Sequence, residues 1–215
     1  VNVYYQSTFS FENFDNWYST VKNCLSLFDG NNYPVVIIED NNGGGNEEIT
    51  SALQELIQPK FEIMNYNVLR DSEDVKLNLD MIDELAGNLP FAARFSDIET
   101  CTPYMNASSM FEEKEEDHFG DVTFVRSKPF VLTVSSKFRK KIDKIKSSIK
   151  KKRIPTQIIV FTDGFSYSAT SIFIKGLQEF GGAIIVGYAG DPDMDINQFD
   201  AAQGKLYYHN FFNSS

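Results

Sequence analysis

Residues 157–187 read QIIVFTDGFSYSATSIFIKGLQEFGGAIIVG, and this stretch decides the fold. Gln157 to Phe161 is a short apolar run rich in β-branched residues, the composition of a buried strand. Thr162 to Tyr167 supplies a turn. Ser168 to Phe180 then places Ile172, Phe173, Leu177 and Phe180 at helical spacing. Gly181-Gly182 breaks that helix, and Ala183 to Val186 is a second strand. Strand, helix and strand in so short a span imply a right-handed crossover and a locally parallel sheet.

Working outward, the first quarter of the chain repeats the scheme. Tyr33 to Ile38 (YPVVII) reads as a strand buried on both faces. It stops in Glu39-Asp40-Asn41-Asn42-Gly43-Gly44-Gly45. A helix follows from near Asn46, with Glu47 and Glu48 in its first turn and Ile49, Leu53, Leu56 and Ile57 on one face. Before it, Val1 to Tyr5 alternates like a strand. Phe14, Trp17, Val21, Cys24, Leu25 and Phe28 mark an amphipathic helix closed by Asp29-Gly30-Asn31-Asn32. The fold class expected is α/β with a mostly parallel sheet.

The middle is less patterned. Met81 to Leu89 reads as a helix ended by Pro90, and residues 100–128 as an insertion or surface loop, because no period is sustained there. Lys137 to Arg153 holds ten of the 20 basic residues, with Phe138, Ile142, Ile145 and Ile149 as a buried stripe. A solvated helix face explains that run; a patch for an anionic partner is the rival reading.

A net charge of −10 argues against nucleic-acid binding, which rests on cations neutralising phosphates. No run approaches the roughly 18 apolar residues of a membrane-spanning helix. Cys24 and Cys101 are too few for a disulfide framework or a zinc site of the usual spacing. Asn106-Ala107-Ser108 and Asn213-Ser214-Ser215 fit the glycosylation acceptor pattern and leave a secreted or cell-surface location open. The chain starts without Met and ends in an aromatic stretch, Tyr207 to Phe212; we expect residues 1–215 to be a single domain cut from a longer protein.

In parallel α/β sheets, sites lie at the carboxyl ends of strands. Two turns there have unusual content. Adjacent glycines in Gly43-Gly44-Gly45 let backbone N–H groups converge on an oxyanion, on a phosphate, or simply make a tight turn; no Gly-Lys-Ser/Thr follows, so a Walker loop is excluded. The second turn sets Ser166, Ser168, Thr170 and Ser171 at a strand-to-helix junction, where a hydroxyl serves as a nucleophile or as a helix cap.

Together, the Asn-Asn-Gly-Gly-Gly turn and the later Phe-Ser-Tyr-Ser-Ala-Thr-Ser turn, with its helix, glycine break and Val-Gly strand, resemble the tail-specific (C-terminal processing) serine peptidases. The resemblance covers about half the chain and runs from Ser168 to Gly187 without a gap. It implies a crotonase-like (ClpP-like) core and peptide-bond hydrolysis of a peptide or protein substrate. It also implies Ser168 as nucleophile and an oxyanion hole from the Ala169 N–H with that of Gly43 or Gly44. No metal or cofactor is implied.

The departures are specific. Where the family often has Asp-Leu-Arg, this chain has Ile38-Glu39-Asp40. The position of a Ser/Lys member's general base falls on Asp193, and no lysine lies between Lys175 and Lys205. The resemblance is therefore to the tricorn-like branch, in which a distant His and a carboxylate serve the serine. His118 and His209, the two histidines present, match no family position. A non-catalytic, peptide- or protein-binding relative is the alternative, and an acyl-CoA enzyme of the crotonase type a third reading.

Overall fold

A computed structural model describes residues 2–5, 14–58, 65–85, 90–134, 136–163 and 165–187. In chain order the elements are β1 (Asn2–Tyr5), α1 (Phe14–Asp29), β2 (Val35–Glu39), α2 (Glu47–Ile57), α3 (Glu73–Leu85) and β3 (Phe95–Asp97). They continue with β4 (Lys114–Phe119), β5 (Val122–Ser127), β6 (Phe130–Leu132), α4 (Ser136–Ser148), β7 (Ile158–Thr162), α5 (Ala169–Glu179) and β8 (Ile184–Gly187). The chain divides into two units, Val1–Ile63 with Lys137–Ser215, and Met64–Ser136.

The first unit is built on a four-stranded sheet in the order β1-β2-β7-β8, every pair parallel. The two strands that lead into the unusual turns are therefore the two central ones. Their register runs from Val35 opposite Ile158 to Glu39 opposite Thr162. Both strands end at the same level, so the turns that begin at Asp40 and Asp163 leave the sheet side by side. A contact between stretches more than a hundred residues apart is thus set by strand pairing.

Alternation decides what β2 buries. Val35, Ile37 and Glu39 are buried while Val36 and Ile38 are half-buried, and Tyr33 is exposed ahead of the strand. The run does not begin at Tyr33 as its composition suggests, and its last buried position is a carboxylate. Ile158 and Val160 of β7 are fully buried, as are Leu53 and Leu56 of α2 and Phe173, Ile174 and Leu177 of α5. Each such side chain contributes roughly 1.5–3 kcal/mol relative to exposure.

Between α2 and α5 the packing is also polar. Thr50, Gln54 and Gln58, four residues apart on one face of α2 and its end, are all fully buried. Thr50 Oγ1 donates to the Ala169 carbonyl (3.2 Å), Gln54 Nε2 to those of Ile172 and Phe173 (2.9 Å each), and Gln58 Nε2 to that of Gly182 (2.8 Å). This row of donors sets the depth and rotation of α5 against α2.

The basic segment forms α4, with Phe138, Ile142 and Ile145 buried as its spacing predicts; Ile149 lies beyond the helix end. Part of its charge is used internally. Arg139 and Lys146 both bond Glu55 at 2.6 Å, Lys141 pairs with Asp15, and the buried Arg153 donates to the Phe28 carbonyl.

In the second unit, α3 begins at Glu73, eight residues before the helix expected at Met81. The Ser72 hydroxyl accepts from the Val75 N–H (3.3 Å), and Glu73 and Asp74 occupy the first turn, favourable to the helix dipole. Residues 86–89 of the expected helix lie outside the described residues. Residues 100–128, expected to be an insertion or loop, hold a short 3-10 turn (Ser108–Phe111) and the antiparallel β4–β5 pair. That hairpin is mostly solvated, so its sequence carries charges rather than apolar alternation. Arg126 pairs across it with Glu115 and Asp117. β3 pairs antiparallel with β6, where Phe95 and Phe130 meet edge to face at 5.1 Å. Among the described residues no helix is long and apolar enough to cross a membrane.

Candidate active site

The two turns at the carboxyl ends of β2 and β7 are laced together by backbone groups. The Tyr167 N–H donates to the Asn42 carbonyl (3.1 Å). Asp163 accepts from the Asn41 N–H (2.8 Å) on one carboxylate oxygen and from the Phe165 N–H (2.9 Å) on the other. Burial pushes the Asp163 carboxyl up, but a hydrogen-bonding interaction with the Asp40 side chain and the bonds from those N–H groups outweigh it and hold Asp163 below the ordinary range.

Ser168 stands at the N-cap position of α5 but does not act as a cap. Its side chain makes no cap hydrogen bond, and its backbone lies at φ 54°, ψ −123°. The contrast with α2 is direct, since Asn46 there accepts from the N–H groups of Glu48 (2.7 Å) and Ile49 (3.3 Å) with ordinary extended dihedrals. A non-glycine residue in such a region costs on the order of 1–3 kcal/mol and persists only where the surroundings impose it. Here the two turns impose it. Ser168 as a whole is half-buried.

Ser166, two residues earlier, is the opposite case. It is fully buried; its Oγ donates to the Glu39 carbonyl (3.2 Å) and lies 3.0 Å from Thr162 Oγ1, while its own carbonyl accepts from Ser171 Oγ (3.0 Å). Ser166 is a strut between β2, β7 and α5.

The three glycines are not equivalent. A Cβ on Gly44 would sit 2.6 Å from the Tyr167 carbonyl oxygen, 2.7 Å from Ser168 Cβ and 2.9 Å from the Ala169 nitrogen, and its φ is +96°. Only glycine permits that approach. A Cβ on Gly43 would meet nothing within 4 Å. The N–H groups differ as well, because Gly44 donates to Asn42 Oδ1 at 3.0 Å. The Gly43 and Ala169 N–H groups have no acceptor among the described residues. Ala169 opens α5, where helix geometry leaves its N–H unsatisfied.

Asn42 joins these parts. It is fully buried, its carbonyl holds Tyr167, its Oδ1 holds Gly44, and its Nδ2 donates to Glu39 Oε2 at 2.6 Å. Glu39 is likewise fully buried, and its Oε1 has no partner among the described residues. Burial pushes its carboxyl from the ordinary 4.5 up to about 8, opposed by the Asn42 hydrogen bond. Asn42, Glu39 and Asp163 were present in the quoted turns, but sequence attaches no role to them; their partners lie on another strand or depend on a buried geometry.

His118 is an exposed residue of β4 in the second unit, its Nδ1 2.9 Å from Thr123 Oγ1. Asp193 and His209 lie outside the described residues. Cys24 and Cys101 are free thiols, and among the described residues no group of three metal-ligating side chains is assembled.

In serine hydrolases of the nucleophile-elbow kind the serine sits on a strand-to-helix turn of this sort. The family model for peptidase family S41 matches residues 7–192, and the chain belongs to that family, the C-terminal processing serine peptidases. Among solved structures, mature CPAF complexed with lactacystin is similar at a TM-score of 0.47 and 15% identity, covering 86% of this chain and 37% of that one. Mature CPAF gives 0.42 and 16%, covering 86% and 36%. The chain thus spans little more than a third of the length of either. No curated protein matches it.

Proposed function

We propose that this chain carries the nucleophile and oxyanion hole of a serine peptidase with a crotonase-like core. Ser168 Oγ attacks the scissile carbonyl carbon and its proton passes to a general base. The tetrahedral oxyanion is held by the N–H groups of Ala169 and Gly43. Collapse then expels the amine, which takes the proton from the base, and water hydrolyses the acyl-enzyme. Between Gly43 and Gly44, Gly43 is the better donor because the Gly44 N–H is bonded to Asn42. The observation that carries the reading is Ser168 itself, held at positive φ with no cap bond, against a glycine that no other residue could replace.

The base is proposed to come from a tricorn-like arrangement, a histidine and a carboxylate outside this stretch, since Asp193 occupies the Ser/Lys position. Residues 1–215 are read as one peptidase-like domain with an insertion or surface loop at 100–128; the family match, residues 7–192, takes in residues of both units. The substrate class is a peptide or protein.

The test is labelling of the full-length protein with a fluorophosphonate and mapping of the modified residue. Modification at Ser168, abolished by Ser168→Ala, supports the reading; labelling that survives that change overturns it. One observation favours the second reading, a peptide-binding pseudo-peptidase: an acid at 193 cannot replace a neutral amine as a base of matched pKa. A folded full-length protein that binds peptide and never labels belongs to that class.

A further inference from the structure

β2 places three residues in the sheet core on one face, Val35, Ile37 and Glu39. The first two are apolar at no cost. The third is a carboxyl group with one oxygen unpartnered among the described residues, in a place where burying a polar group without compensation is costly. Packing alone does not explain it. Among the described residues its side chain is hydrogen-bonded to Asn42, and the other end of the Asn42 amide holds the Gly44 N–H. An amide has fixed geometry, so the 2.6 Å bond at Nδ2 determines where Oδ1 sits, and with it the course of Gly43-Gly44 past Ser168 and Ala169. The Ser166 hydroxyl, bonded to the Glu39 backbone carbonyl, anchors the same residue to the second turn.

We propose that Glu39 is a positioning residue for the oxyanion hole, acting through Asn42 to fix the Gly43-Gly44 backbone relative to Ser168 and Ala169. The inference rests on the peptidase reading above. Glu39 touches no substrate; its contribution is to keep the Gly44 N–H engaged and the Gly43 N–H, which has no acceptor among the described residues, in its place beside Ala169. A neutral side chain that still accepts from Asn42 Nδ2 preserves this arrangement. An apolar one of similar size releases Asn42, and a shift of about 1 Å in a catalytic group costs roughly a hundredfold in rate.

The experiment measures the second-order rate of fluorophosphonate modification at Ser168 in full-length wild type, Glu39→Gln, Glu39→Leu and Glu39→Met, with thermal melting of each. Ser168→Ala is the control for the site. Positioning predicts that both apolar variants melt cooperatively yet react at least about tenfold more slowly, and that Glu39→Gln restores the rate to near wild type. Methionine, unbranched and adaptable, fills the space if leucine does not. Wild-type rates in a folded Leu or Met variant overturn the proposal and leave the peptidase reading intact. Equal losses in the Gln and apolar variants also overturn it. Absence of labelling at Ser168 in wild type removes the peptidase reading itself, a result distinguishable from either.

Discussion

Gly44 lies so close to Ser168 that a methyl group on its α-carbon would sit 2.7 Å from Ser168 Cβ. Two residues 124 positions apart are thus pressed together by the parallel pairing of β2 with β7, and the contact makes Gly44 sterically unlike Gly43. Gly44→Ala forces either the Tyr167 carbonyl or the start of α5 to move and holds alanine at φ +96°. A loss of roughly 1–3 kcal/mol is expected, together with loss of fluorophosphonate reactivity at Ser168. Gly43→Ala keeps its N–H and points its methyl into open space. Denaturant midpoints and labelling rates for the two variants check this; equal damage from both changes contradicts it.

The two serines of the second turn separate in the same way. Ser168→Ala gives up no cap hydrogen bond and changes stability by less than about 0.5 kcal/mol. Ser168→Gly relieves the positive φ and stabilises by roughly 1 kcal/mol. Ser166→Ala removes buried hydrogen bonds and costs about 1–2 kcal/mol, while Ser168 stays reactive in the folded protein. Chemical denaturation of the three variants decides the matter. A Ser168→Gly protein less stable than Ser168→Ala contradicts the strain.

Glu39 gives stability a pH dependence of unusual sign for a carboxylate. Its folded pKa, about 8, is raised above the ordinary 4.5, so the folded state binds the proton more tightly than the unfolded one. That stabilisation is complete below about pH 4.5 and is lost as pH rises toward 8. The slope inside this window is at most about 1.4 kcal/mol per pH unit. The Tyr4 hydroxyl, which burial and the Glu39 charge push up, stays neutral throughout the window. Glu39→Gln removes the slope. Unfolding free energies of both proteins at pH 5.5, 6.5 and 7.5 test it, and parallel profiles count against a protonated Glu39.

Gln54 holds α5 through two carbonyls at once. Gln54→Leu conserves volume but loses both bonds, for a cost of about 1–2 kcal/mol. Because α5 begins at Ala169, loosening it also slows reaction at Ser168. Stability and labelling rate are expected to fall together; a fall in stability alone shows that the helix start is held by the turns and not by α2.

Much of the first unit is legible from local pattern. The helices α1, α2 and α5 fall within a residue or two of their apolar periods, because amphipathic spacing is a property of consecutive residues. The same holds for the buried stripe Phe138, Ile142 and Ile145. The second unit is less legible, because a solvated hairpin gains its stability from backbone pairing and charge pairs such as Arg126 with Asp117. Neither leaves an apolar rhythm. The start of α3 was written in Ser72-Glu73-Asp74, a cap followed by acids, and was obscured by the weaker apolar face that follows.

The site divides along the same line. By itself the sequence determined that a glycine turn and a hydroxyl-rich turn each follow a strand, and that their order and spacing resemble one peptidase family. Local pattern did not rank Ser166 against Ser168, which only the family register separated in favour of Ser168, and neither pattern nor register ranked Gly43 against Gly44. The tertiary structure separates them: register brings Glu39 opposite Thr162, buries Ser166 in hydrogen bonds, leaves Ser168 uncapped at positive φ, and wedges Gly44 against it. Those distinctions are steric and long-range, and only strand pairing across the chain creates them.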